Sequence, residues 1–186
     1  MKIILIRHGK PDFLFRGNAS SAEIGNLVKL FDGCGIIDEP PNEIKQLASI
    51  DNIIFCSNLS RSIESAKALK QCESYITNQV FKEVLLPYFD INKIKIPVKI
   101  WLVLFRLLSI FGFAKNGESL LMAKRRAKLA AEILIEAAKS HKVVLLIGHG
   151  FINRFIAKEL LFNGWVGPAK TATNYWGHDV YTHNST

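Results

Sequence analysis

Lys2-Ile3-Ile4-Leu5-Ile6-Arg7-His8-Gly9 begins as a continuous aliphatic run and stops abruptly at a polar triplet. Such a run reads as a strand buried on both faces that delivers its last side chains beyond its carboxyl end. The pattern returns twice: Asn52-Ile53-Ile54-Phe55-Cys56 runs into Ser57, and Val143-Val144-Leu145-Leu146-Ile147 runs into Gly148-His149-Gly150. Between these runs, Leu59, Ile63, Ala66 and Leu69 keep helical spacing, as do Leu120, Ala123, Ala127, Ala130 and Leu134. Buried strands alternating with helices predict an α/β fold, a three-layer α/β/α sandwich with a mainly parallel central sheet. Open sheets of this kind take ligands beyond the carboxyl ends of their strands, where all three polar clusters fall.

A chain of 186 residues, 49% hydrophobic and 22% charged, can bury a core without external staples, and nothing in its composition suggests disorder. No repeat or Pro/Gly-rich linker divides it, so residues 1–186 read as a single domain. Cys34, Cys56 and Cys72 are odd in number and lack CxxC spacing, which suggests neither a disulfide framework nor a structural zinc. The apolar run before Arg7 is too short for the core of a secretory signal. Together these features predict a cytoplasmic protein. The net charge of +8 favours anionic partners, which could be nucleic acid, anionic lipid or a phosphorylated small molecule. Because the basic residues are scattered and not interleaved with aromatics, nucleic acid is not expected.

Ile96 to Ala114 is unusually apolar all round. A membrane span needs about 20 mostly apolar residues, and Pro97, Lys99, Arg106 and Gly112 interrupt a shorter run. The segment reads as a buried helix or a lid over the site, with a helix lying in a membrane surface as the remaining reading.

Arg7-His8-Gly9 is the sharpest chemical signal. A neutral imidazole is nucleophilic near neutral pH, and an adjacent guanidinium both neutralises phosphoryl oxygens and lowers the histidine pKa. A histidine merely satisfied in the core is the plain alternative. In Ser57-Asn58-Leu59-Ser60-Arg61-Ser62-Ile63-Glu64-Ser65-Ala66 a strand enters a helix whose first turn holds Arg61, a place that favours anions. Equally, Ser57 or Ser60 could cap that helix and Arg61 could be solvated. Gly148-His149-Gly150 leaves room for a close ligand, although Gly-His-Gly also suits an ordinary strand-to-helix turn.

Taken together, the three elements resemble the histidine phosphatase superfamily, also called phosphoglycerate-mutase-like. RHG at Arg7 to Gly9 is similar to its nucleophile motif, SNLSRSIESA to its second-arginine motif and GHG to its second-histidine motif. Phe81-Lys82-Glu83-Val84-Leu85-Leu86-Pro87 is similar to the segment bearing the proton donor. Asn116-Gly117-Glu118-Ser119, followed by Arg125 and Arg126, is similar to its GES stretch before a helix. The resemblance implies His8 as nucleophile, Arg7, Arg61 and His149 as phosphoryl-binding groups with His149 part of the catalytic set, and Glu83 as the acid for the leaving group. No metal and no cofactor is implied. Glu64, Asp90 and Glu118 are the alternative acids; Glu118 is expected in the first turn of the long helix, with Ser119 or Asn116 capping.

The implied activity is hydrolysis of small-molecule phosphate monoesters through a phosphohistidine. Lys10-Pro11-Asp12-Phe13-Leu14 departs from the sequence that follows RHG in phosphoglycerate mutases proper, which argues against mutase activity. Two alternatives stay open: a protein phosphohistidine phosphatase, and a catalytically silent phosphate-binding or membrane-surface module. The apolar insertion at about 91–115, with Trp101, Phe105, Arg106 and Phe111, is expected to cover the site and set specificity, and so apolar a cover suggests an amphiphilic or lipid-like ester.

Overall fold

The computed structural model describes residues 1–48, 52–69, 75–90 and 93–184. Its elements in order are β1 (Lys2–Arg7), β2 (Asn18–Ala19), α1 (Ser21–Gly33), α2 (Asn42–Leu47), β3 (Ile53–Cys56), α3 (Ser60–Leu69), β4 (Tyr75–Thr77), β5 (Ile96–Pro97), α4 (Val98–Ile110), α5 (Leu120–His141), β6 (Val143–Gly148), α6 (Gly150–Phe162) and β7 (His178–Thr182). Cys72 and the first two positions of the 91–115 segment lie outside the described residues.

The main sheet has the order β4-β3-β6-β1-β7. The first four strands are parallel, and β7 runs antiparallel along β1. This is the predicted three-layer sandwich. The three strands read from their apolar runs are the adjacent central ones, and their pleat divides them between two cores. Ile3, Leu5, Phe55, Val144 and Leu146 face one side, while Ile4, Ile6, Ile54, Leu145 and Ile147 face the other. On the first face lie Ala127, Ala130 and Leu134 of α5 with Ile152, Ile156 and Leu160 of α6. Ala66 and Leu69 of α3 and Ile44 of α2 cover the second. Burial on both faces explains why these strands have no polar alternation.

A third, smaller cluster lies apart from the sheet. It joins Ala19 and Ile24 to Val98 and Phe105 of α4, with Tyr88, Phe89 and Trp101 packed around them. Ser20 caps α1 and Glu23 returns the bond, a reciprocal capping box that fixes the start of the helix against this cluster. α4 is therefore buried along one side only. Among the described residues no helix is long and apolar enough to cross a membrane.

Register then assembles the rim. Arg7 pairs with Gly148 across β1 and β6, and Cys56 with Ile147 across β3 and β6. The residues that follow these pairs, His8, Ser57 and His149, consequently emerge side by side.

Candidate active site

His8 leaves β1 under restraint from three directions. Its own N–H donates to Gly148 O at 3.1 Å, Trp176 N–H donates to Arg7 O at 3.1 Å, and Gly9 N–H donates to Ser65 Oγ at 2.9 Å. A side chain at Gly9 has no room, because a Cβ would lie 2.6 Å from Asp38 Oδ1 and 2.7 Å from the Trp176 ring. The His8 ring is 3% exposed. Its Nδ1 lies 2.7 Å from Gly9 O; a carbonyl only accepts, so Nδ1 carries the proton and Nε2 keeps its lone pair. Burial, reinforced by the charges of Arg61 and Arg7 against the bond to Gly9, pushes the His8 pKa down to about 3.

The His149 ring lies 4.9 Å from that of His8, centroid to centroid, and is fully buried. Its Nε2 is 2.6 Å from Ser57 Oγ, whereas its Nδ1 has no hydrogen-bond partner among the described residues. Burial, then the charge at His8 and the arginines, holds its pKa well below the ordinary value. Ser57 thus orients the second histidine. The glycines around it have different uses: Gly150 lines a cavity, while a Cβ at Gly148 would lie 2.1 Å from Asn153 Oδ1. The space read at Gly148 as access for a ligand is filled by Asn153, whose Nδ2 donates to Ile6 O at 3.2 Å.

Arg61 is 1% exposed, so a solvated Arg61 is ruled out. Burying a guanidinium is costly unless it is paired. Here it donates to Phe31 O at 2.8 Å and Asp32 Oδ1 at 3.3 Å, and stacks on the Phe31 ring at 4.2 Å. Its Nε has no partner among the described residues. Arg7 donates to Thr173 O and lies over the Tyr175 ring at 4.4 Å. Its buried Nε is likewise unpartnered among the described residues. Two guanidiniums and two low-pKa histidines converge with few acids to offset them, an arrangement suited to an anion.

Glu83 sits across the cavity on a loop and caps α6. Its Oε2 accepts from Phe151 N–H at 3.1 Å, and its Oε1 from Ile152 N–H at 3.1 Å and Val84 N–H at 2.8 Å. The other acids serve elsewhere. Glu64 accepts from Ile36 N–H, Asp90 pairs with Lys115, and Glu118 pairs with Arg126; none of the three lines the cavity.

Glu118 also differs from expectation in position. α5 starts at Leu120 with Ser119 as its cap, so Glu118 lies before the helix and not in its first turn. The reason is Arg126, whose fork meets both Glu118 oxygens at 2.9 and 2.6 Å and donates to Val80 O and Lys82 O. Arg126 thereby fastens the chain that leads into Glu83. Arg126→Ala is expected to cost about 2–3 kcal/mol, since it strands a nearly buried carboxylate and two carbonyls. Urea denaturation measures this, and Arg126→Lys, lacking the fork, should recover little. A loss within error of zero would remove the clamp.

Arg7, His8, Arg61 and Glu83 all line one cavity of about 510 Å³. His149 stands behind His8 and is not part of the wall. Leu102, Val103, Arg106 and Leu107 of α4 form one side, and Phe31, Asp32, Phe151, Arg154 and Thr173 join them. Sequence reading missed Asp32, Thr173 and Tyr175, which sit in segments without strand-end signals, and also Arg154 on α6. The one usable cue was helical spacing: Arg154 follows Gly150 by one turn. Among the described residues no three His, Cys, Asp or Glu side chains gather where they could hold a metal ion.

A model of the histidine phosphatase superfamily (branch 1) matches residues 42–170, a span that holds Arg61, Glu83 and His149 and begins after Arg7 and His8. No curated protein sequence matches the chain. Among solved structures, the product of an open reading frame of Mycobacterium tuberculosis is similar at 17% identity and a TM-score of 0.62, over 96% of this chain and 89% of that one. A mycobacterial glucosyl-3-phosphoglycerate phosphatase is similar at 18% identity and a TM-score of 0.54, over 87% and 79%. A phosphoserine phosphatase of Entamoeba histolytica gives 17% and 0.53, over 96% and 89%. At these identities the likeness is one of fold.

Proposed function

Because the chain belongs to the histidine phosphatase superfamily, we propose that it hydrolyses phosphate monoesters through a phosphohistidine on His8, without a metal ion. The observation that carries this reading is the convergence of His8, Arg7, Arg61 and Glu83 on one cavity. We read residues 1–186 as one domain in which the 91–115 segment covers that cavity. The free thiols of Cys34 and Cys56 fit the reducing cytoplasm.

Neutral His8 attacks phosphorus through Nε2, in line with the ester oxygen that leaves. Phosphoryl transfer asks chiefly for position and for positive groups around three equatorial oxygens. The unpartnered Nε atoms of Arg7 and Arg61 have hydrogen-bonding capacity to spare for those oxygens. His149 backs the His8 ring, 4.9 Å away between centroids, and its buried Nδ1 can take a phosphoryl oxygen only once the bound ester has displaced the wall between them. Glu83 gives its proton to the departing alkoxide, then as carboxylate takes one from the water that attacks the phosphohistidine. Inorganic phosphate leaves, and His8 and Glu83 return to their starting states.

A cavity of about 510 Å³ is within the range of about 300–1,000 Å³ usual for small-molecule sites. With α4 as its wall, it favours a small ester over a loop of a phosphorylated protein.

Rapid quench of a radiolabelled monoester into alkali tests the intermediate: label on His8 is expected, and turnover with none trapped would leave direct attack by water. Glu83→Gln tests the acid. Hydrolysis of alkyl phosphates should fall by about 10²–10⁴-fold, and that of p-nitrophenyl phosphate, whose weakly basic leaving group needs no proton, by much less. Equal losses would disqualify Glu83 as donor.

A further inference from the structure

α4 is packed on one side and bare on the other. Inward, Val98, Phe105 and Ser109 are buried, Trp101 stacks on Phe105 at 5.0 Å between centroids, and Trp101 Nε1–H donates to Ala19 O at 2.8 Å. These contacts fix the orientation of the helix. Outward stand Ile100, Val103, Leu104, Leu107 and Ile110, continued by Phe111, with Val103 61% and Phe111 86% exposed. Their spacing of three and four residues makes one continuous stripe. Lone exposed apolar residues are ordinary, but a whole helix face of them marks an interaction surface.

Beside the C-terminal half of this stripe a second cavity, of about 600 Å³, opens between α4, α5, α6 and residues 169–173. Arg106, Lys124, Arg154, Lys158 and Lys170 line it, together with apolar and hydroxyl side chains and, among the described residues, no Asp or Glu. Among the described residues none of these five cations takes part in an ion pair. Arg106 lies 3.7 Å and Arg154 5.2 Å from the centre of the Phe151 ring, and all three residues also border the active-site cavity. The apolar stripe, the unpaired cations and the mouth of the site therefore share one region of the molecule.

We infer that α4 docks on a membrane surface rich in anionic lipid, and that the ester cleaved at His8 is carried by a lipid of that bilayer. A 13-residue helix is too short to span a bilayer but suits its interface, apolar face down. The cations beside it would then meet lipid phosphates. A second copy of the chain fits this face less well, because pairing it would bring two unpaired basic clusters together on a protein of net charge +8. Val103 and Leu107 belong to both the stripe and the cavity wall, so a lipid headgroup reaches Arg61 along them while its chain stays in the bilayer. Water is consumed, the lipid alcohol remains in the membrane and inorganic phosphate departs. The lipid substrate rests on the phosphatase reading, whereas the docking does not.

The test uses the full chain, sedimented with vesicles of phosphatidylcholine alone or mixed with phosphatidylglycerol, beside a variant carrying Ile100→Ser, Leu104→Ser and Phe111→Ser. Those three side chains are exposed and line neither cavity. Binding to the anionic vesicles, with about tenfold or greater loss in the variant, is the expected result. The variant should lose cleavage of phosphatidic acid in vesicles to the same extent, while p-nitrophenyl phosphate hydrolysis stays unchanged and shows the fold to be intact. Equal binding by both proteins, or no preference for anionic vesicles, overturns the docking. A dimer that the substitutions dissociate, with no vesicle binding, overturns it in favour of self-association. Turnover of p-nitrophenyl phosphate with none of phosphatidic acid overturns the lipid substrate, and vesicle binding with neither ester cleaved upholds the docking while rejecting the phosphatase reading.

Discussion

With His8 replaced by alanine, hydrolysis of p-nitrophenyl phosphate in the presence of EDTA is expected to fall by about 10⁴-fold or more. No other side chain can stand in. His149 is fully buried behind the ring, and besides Thr173 the other polar side chains that line the cavity are the cations Arg7, Arg61, Arg106 and Arg154 and the carboxylates Asp32 and Glu83. The fold should survive, because His8 carries no charge at neutral pH and its removal leaves only Gly9 O and the faces of His149 and Tyr175 without a neighbour. Circular dichroism of the variant separates lost chemistry from lost structure. Retained turnover in His8→Ala would refute the nucleophile, and wild-type turnover abolished by EDTA would refute metal independence. If the wild type cleaves nothing yet binds vanadate, the chain is a silent phosphate-binding module.

The empty protein is expected to lose stability as pH falls from 6.5 towards 3. His8 titrates at 6.5 when unfolded and at about 3 when folded. In that window the unfolded chain binds a proton that the folded one refuses, so the contribution is complete above 6.5 and fades below it. The slope is about 1.4 kcal/mol per pH unit for one such group. His149, depressed by burial in the same direction, adds to it. Carboxylates titrate lower, so the decisive interval is about pH 6.5 to 5. Denaturation midpoints measured there should fall more steeply for the wild type than for His8→Ala. Saturating phosphate should flatten the wild-type curve, because a bound anion beside both rings favours their protonation. Parallel curves for the two proteins would mean that His8 is not held neutral by burial.

What sequence reading could see followed from how strongly each signal is written. β1, β3 and β6 are buried on both faces and so are uniformly apolar, and their parallel register aligns the polar residues after them; that put Arg7, His8, Arg61 and His149 within reach. β7 was harder, since His178 and Asp179 on an edge strand break any run. Trp165 and Tyr181 are core residues, and Trp176, itself buried, packs against Gly9. Tyr175 and Thr173 reach Arg7 from a loop whose backbone path, with Trp176 at φ 59°, no local pattern announces. Glu118 was misplaced because its partner Arg126 is two turns along α5 and holds it outside the helix. The 91–115 segment was ambiguous for a physical reason: one side of α4 is core and the other is bare, and both are written in the same apolar residues.

β1 pairs with Val143 to Gly148 on one side and with His178 to Thr182 on the other. Both sheet partners of the strand that carries His8 therefore come from the far part of the chain. Closing so long a loop is entropically expensive, and such non-local pairing slows folding. Until it happens, Ile3-Ile4-Leu5-Ile6 is an unpaired, uncharged aliphatic segment of the kind that seeds aggregation. The placement that brings two histidines together at the sheet rim also makes β1 the strand that waits longest for its sheet partners.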